Sequence, residues 1–167
     1  GLADVNYNAY INKQGKQVIK FATHSLLHPF SEGLACVQVF DKWGYVNKQG
    51  RFLIKARYSE ANDFHDGLAR VAIDEDIFYI DKTGKVIFEL PLGYNSGCHS
   101  CSNGNFFNGL LLVSKDNQYG YLNKKGEVVI SPQFEYADDF HEGLAAVSNG
   151  NALFYIDTKM SFGLSTD

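Results

Sequence analysis

Asp63-Phe64-His65-Asp66-Gly67-Leu68-Ala69-Arg70-Val71 decides how this chain is read, because its pattern returns as Pro29-Phe30-Ser31-Glu32-Gly33-Leu34-Ala35-Cys36-Val37 and as Asp139-Phe140-His141-Glu142-Gly143-Leu144-Ala145-Ala146-Val147. A looser copy, Asn105-Phe106-Phe107-Asn108-Gly109-Leu110-Leu111-Leu112-Val113, stands between the last two, and the chain opens on Gly1-Leu2-Ala3-Asp4-Val5. Self-similarity of this kind marks a repeat architecture, in which each copy is one supersecondary unit that buries its apolar face against its neighbours.

A second signature follows each copy of the first: Tyr10-Ile11-Asn12-Lys13-Gln14-Gly15, Tyr45-Val46-Asn47-Lys48-Gln49-Gly50, Tyr79-Ile80-Asp81-Lys82-Thr83-Gly84 and Tyr121-Leu122-Asn123-Lys124-Lys125-Gly126. Asn or Asp opens a turn by bonding its own backbone, and Gly supplies the left-handed residue of a bulge, so each signature predicts a β-hairpin. The fifth copy, Tyr155-Ile156-Asp157-Thr158-Lys159-Met160, has Met where that glycine belongs, which predicts a distorted last hairpin.

The Gly-Leu-Ala-X-Val segments alternate as half-buried strands. The third strands, Val18-Ile19, Phe52-Leu53-Ile54, Val86-Ile87-Phe88 and Val128-Val129-Ile130, are apolar at successive positions, which predicts cover on both faces and a place at the centre of each unit. The fold expected is therefore all-β: about five repeats of three short antiparallel strands in an elongated, twisted array. A small closed β-propeller is the alternative, set apart by its four-stranded blades and longer period. Residues 1–167 read as one repeat domain, with units near 1–32, 33–66, 67–108, 109–142 and 143–167 and a loop insertion over 89–105.

A chain of 167 residues with a formal net charge of −4 needs no staple and has no basic footprint for nucleic acid. No apolar run is long enough to span a bilayer as a helix. Three cysteines do not make a disulfide framework. The residues therefore leave the compartment open between cytoplasm and, after removal of a signal peptide, periplasm or cell surface.

The chemistry-bearing candidates are few. Cys98-His99-Ser100-Cys101 has the spacing of half a zinc site or of a strained disulfide. His24, His28, His65 or His141 would have to supply further ligands, so Cys98 and Cys101 are the minor metal candidates and no cofactor is expected. Cys36 reads as a small core hydrophobe. His65-Asp66 and His141-Glu142 resemble acid-base pairs but occupy the same repeat position as Ser31-Glu32 and Phe107-Asn108, which makes them turn residues. No phosphate-binding glycine loop, nucleophile elbow or zinc-protease helix motif occurs, and catalysis is not expected. The binding candidates are Trp43, Tyr45, Tyr94, Tyr119 and His99. Trp43 is non-periodic, the repeated tyrosines could stack on sugars or anchor an interface but read first as architecture stacked across units, and insertions in repeat proteins often fall on the binding face.

Lys42-Trp43-Gly44-Tyr45-Val46-Asn47-Lys48-Gln49-Gly50, with the apolar third strand, the aromatic connector and Phe-X-Glu/Asp-Gly-Leu-Ala-X-Val, resembles the WG (KWG) β-repeat family of bacterial proteins over nearly the whole chain. The Trp-Gly pair is intact once; Ile77-Phe78, Tyr119-Gly120 and Leu153-Phe154 stand at its other positions. The resemblance implies an all-β repeat array without assigned catalysis. The expected function is a non-catalytic module binding another protein; one concrete form is an immunity or inhibitor protein whose acidity masks a basic toxin surface. The alternative is a carbohydrate-binding module at a bacterial cell surface, stacking sugars on Trp43 and the repeated tyrosines.

Overall fold

The computed structural model describes residues 3–5, 9–21, 25–96, 103–159 and 162–163. The chain forms two compact units, Gly1–Val86 and Ile87–Asp167. In the first unit, β1 (Ala3–Val5), β2 (Ala9–Ile11) and β3 (Gln17–Lys20) form one antiparallel sheet. A second follows with β4 (Leu26–Leu27), β5 (Ala35–Val39), β6 (Lys42–Val46) and β7 (Phe52–Tyr58), in chain order. The third opens with β8 (Glu60–Ala61), β9 (Leu68–Ile73) and β10 (Asp76–Asp81), and β11 (Val86–Glu89) lies at the start of the second unit.

The second unit has a sheet of β12 (Asn95–Ser96), β13 (Phe106–Phe107), β14 (Leu110–Lys115), β15 (Gln118–Asn123) and β16 (Val128–Phe134). Its last sheet comprises β17 (Tyr136–Ala137), β18 (Leu144–Ser148), β19 (Leu153–Asp157) and β20 (Phe162–Gly163). The fold is all-β, a succession of small antiparallel meanders built from the repeated motif. Among the described residues no helix is long and apolar enough to cross a membrane.

One expectation is extended and one corrected. Three of the sheets add a fourth strand to the three expected, because the connector donates two residues to the sheet that follows: Leu26 pairs with Gln38, Glu60 with Ala72 and Tyr136 with Ser148. A strand of two residues carries no periodicity to read.

The third strand is also not central. β7 and β16 lie at the ends of their sheets, with Leu53 and Val129 each about half exposed. In the second sheet the strand covered on both faces is the Gly-Leu-Ala strand, β5. Ala35 and Val37 pack into a cluster with Tyr10, Ile19 and Val46, while Leu34 and Cys36 pack into another with Tyr45, Ile54, Phe64 and Val71. Successive side chains of an inner strand thus serve the preceding and the following sheet by turns, since they point to opposite faces.

The motif residues have repeated jobs. Glu32-Gly33, Asp66-Gly67, Asn108-Gly109 and Glu142-Gly143 all have positive φ, the geometry of a type I′ turn, and His65 and His141 are the residues that enter it. The turns are also tied to one another within each unit. Gly67 N donates to the Glu32 carboxylate at 3.1 Å, and Gly143 N donates to Asn108 Oδ1 at 2.7 Å.

In the Asn/Asp-Lys-X-Gly hairpins the side-chain oxygen of Asn12, Asn47, Asp81 or Asn123 accepts two backbone N–H groups, and the glycine sits at φ between 74° and 84°. A second constraint acts at Gly50: a Cβ there would lie 2.7 Å from the Ile19 side chain, because the hairpin packs on the third strand of the preceding sheet. Met160 lies outside the described residues, and so does the distortion expected there.

Asp81 provides a test of the hairpin. Bonds from the Thr83 hydroxyl and from the Lys85 and Thr83 amides hold its carboxyl below the usual carboxylate range. The stability it contributes is present above the ordinary carboxylate pKa and is lost as pH falls through the lowered folded value. Asp81→Asn, which copies Asn12, Asn47 and Asn123, is expected to keep the turn and to flatten the acid limb of melting temperature against pH. An acid limb identical to that of the wild type would show that Asp81 is not linked to folding.

Candidate functional site

The sequence-derived binding residues are dispersed. Tyr45 is fully buried and donates its hydroxyl to Asn62 O at 2.7 Å, with its ring 4.8 Å from Phe64. It is a core residue, in line with the packing reading of the repeated tyrosines, and its ring is not open to a ligand. Tyr10 and Tyr121 repeat the arrangement, bonded to His28 O and Asp138 O and packed on Phe30 and Phe140. The reason is common to all three: the hydroxyl satisfies a connector carbonyl that the sheets would otherwise bury unpaired. Burial pushes the Tyr45 and Tyr121 phenols up, so both remain donors.

Trp43 is half-buried, packed on the first unit's core and 5.0 Å from the His28 ring. Tyr119 packs likewise on the second unit's core, and Tyr94 lies under the Lys115 ammonium at 5.1 Å. His99, Cys98 and Cys101 lie outside the described residues, as does His24. Among the described residues no three His, Cys, Asp or Glu gather as metal ligands. Cys36 is buried, and burial pushes its thiol up, which makes it a packing residue. Among the described residues, one His-carboxylate contact is not suggested by chain order: His28 Nδ1 lies 3.1 Å from Asp63 Oδ1, joining two successive connectors. Phe40 is a second feature missed, 89 % exposed on a turn at φ 50°.

The glycine of the Trp-Gly pair shapes the surface more than the tryptophan does. A Cβ on Gly44 would lie 2.6 Å from both Ile54 O and Ala56 N, and one on Gly120 would lie 2.5 Å from Ile130 O and 2.6 Å from Pro132 N. The third strand therefore bulges as it passes against the bare Cα, so that Trp43 faces Tyr58 while Tyr45 faces Ile54, and a second register shift follows between Tyr45 and Val46. Where this position is glycine the third strand is seven residues long, as in β7 and β16. Ala9 and Phe78 hold the position in two other copies, and there β3 and β11 have four residues each.

This construction gives the first unit a long outer strand with a recess beside it. Leu53, Ile54, Lys55 and Arg57 of β7, with Thr83 and Gly84 of the hairpin after β10, line a cleft of about 270 Å³. Leu53, Lys55 and Arg57 alternate outward, and Leu53 is 55 % exposed. Arg57 is held in place: its guanidinium donates to the Tyr58 hydroxyl at 2.8 Å and to Gly84 O at 3.4 Å.

The second unit supplies an internal comparison. β16 has the same length, the same glycine opposite it and the same succession of exposed and buried residues, yet Ser131 and Gln133 stand where β7 has Lys55 and Arg57. The scaffold therefore does not require the cations. Charge elsewhere follows the same division. The first unit carries eleven Lys and Arg against ten Asp and Glu, and the second four against nine, so the net negative charge belongs to the second.

A model of the WG containing repeat matches residues 9–43, 43–75 and 119–151, together more than half of the chain. The unmatched stretch between them holds Phe78 and the insertion. None of the functionally curated proteins compared with the chain matches it. Among solved structures, the chain is similar to a protein of unknown function from Bacteroides caccae, at 15 % identity over 91 % of this chain and 71 % of that one, with a TM-score of 0.37.

Proposed function

Because the chain belongs to the WG repeat family, we propose that it is a non-catalytic recognition module that binds another protein along the outer edge of β7. The observation that carries this reading is the difference between otherwise matched strands. β7 places an exposed leucine and two cations beside a cleft at positions where β16 shows that the fold is content with neutral side chains. Exposed apolar surface rimmed by charge is the usual composition of a protein-binding patch.

The placement of the aromatics favours a protein partner over a sugar. Tyr10, Tyr45, Tyr79 and Tyr121 have no exposed surface, so they offer no row of stacking faces. The charge at β7 is also positive, which suits an acidic partner segment. Masking of a basic toxin would draw on the acidic second unit instead.

A photoreactive amino acid in place of Leu53 tests the reading. In cells it is expected to give a protein adduct that is absent when the same residue replaces Val129, and that is lost with Lys55→Ser and Arg57→Gln. Those two changes copy β16, and melting temperature is expected to move by less than the equivalent of about 0.5 kcal/mol. Equal adducts at 53 and 129, or none at 53, would remove β7 as the recognition edge.

A further inference from the structure

We propose that β7 receives an extended, acidic segment of its partner as an added strand. The inference rests on the reading of β7 as the recognition edge and specifies what lies along it. No strand pairs with the outer side of β7 among the described residues, so its backbone is a template for one more strand. Seven residues match the usual length of a strand in a folded protein.

The side chains specify the sequence of the guest. The exposed residues that alternate with buried or half-buried ones along β7 are Leu53, Lys55 and Arg57, on a strand that bulges against β6 on both sides of Ile54. A strand laid beside it places its own side chains opposite these in the same alternation, and cross-strand pairs of opposite charge are favourable. The complement is one apolar residue followed at alternate positions by two carboxylates. Arg57 offers those carboxylates a guanidinium already positioned by Tyr58 and Gly84, so less side-chain freedom is lost on binding.

Lysine on an edge strand also has a protective use, in which its charge keeps sheets from pairing edge to edge. That explanation does not account for the difference between the copies. β16 ends its sheet with Val129 45 % exposed and has no cation at the two corresponding positions.

The experiment titrates the full chain with a synthetic peptide of about eight residues that carries Val, Glu and Glu at successive alternate positions with Thr between them, the Val-Glu peptide, in parallel with a Val-Lys peptide in which Lys replaces each Glu and with the Val-Glu peptide N-methylated at alternate amides. The expected result is binding of the Val-Glu peptide alone, slower hydrogen exchange at residues 53–57 in the complex, and a loss of affinity of about tenfold or more in the Lys55→Ser, Arg57→Gln variant. Equal binding of the N-methylated peptide would show attraction by charge without strand pairing, and would overturn the proposal. Absence of Val-Glu binding, together with edge-to-edge association of the double variant, would make the cations protective and overturn it equally. If adducts form at position 53 while no Val-Glu peptide binds, the strand-addition proposal falls and the recognition edge stands.

Discussion

Gly120→Ala is expected to destabilise the second unit by about 3 kcal/mol and to release the far half of β16. The added methyl would lie 2.5 Å from Ile130 O and 2.6 Å from Pro132 N. Both are backbone atoms, so no rotamer change relieves the clash and the strand itself must move. Its end is anchored only beyond the bulge, where Phe134 pairs with Tyr119 and is 3 % exposed in the core. Loss of that pairing draws Phe134 out of the cluster it shares with Tyr121 and Ile130. Chemical denaturation would measure the loss, and native-state hydrogen exchange would place it at residues 131–134. Gly44→Ala should behave alike in the first unit, through Ile54 O and Ala56 N. Wild-type stability and exchange in Gly120→Ala would refute the account of strand length given by this position.

The second large effect concerns residues that the sequence presents as equivalent. Tyr121→Ala is expected to cost about 4 kcal/mol, the range for truncating a fully buried aromatic. Tyr155→Ala, at the same motif position, is expected to cost less than about 1 kcal/mol. Tyr121 is fully buried, packs 4.9 Å from Phe140 and donates to Asp138 O at 2.6 Å; Tyr155 is 47 % exposed. Tyr121→Phe separates the two contributions, since it keeps the ring and leaves the Asp138 carbonyl without its donor, at a cost of about 1 kcal/mol. Denaturation midpoints of the three variants provide the comparison. Equal losses for Tyr121→Ala and Tyr155→Ala would mean that motif position alone, independent of burial, sets the energetics.

The candidate site was legible in the sequence only by a comparison of copies. Phe52-Leu53-Ile54-Lys55-Ala56-Arg57-Tyr58 aligned with Val128-Val129-Ile130-Ser131-Pro132-Gln133-Phe134 shows the cations as the departure from a shared pattern. Aromatics and cysteines are conspicuous in the sequence because their chemistry stands out at any position. Trp43, Tyr45 and Tyr119 then proved to be packed on cores. The aromatic content that suggests a binding face is largely what closes one sheet against the next.

What the amino-acid sequence determined by itself is everything that rests on contacts a few residues apart. The Asn/Asp-Lys-X-Gly hairpins and the polar turns at Asp66-Gly67 and Glu142-Gly143 follow from local backbone preference, and the repeat follows from their recurrence. Only the tertiary structure decided which strand lies inside, which face of Leu34-Ala35-Cys36-Val37 serves which neighbour, and that β7 stands at an edge with Lys55 and Arg57 outward. An apolar run such as Phe52-Leu53-Ile54 is the same string whether it is covered on both faces or on one. Burial is settled by the sheets that stack against it, through contacts between residues far apart in the chain.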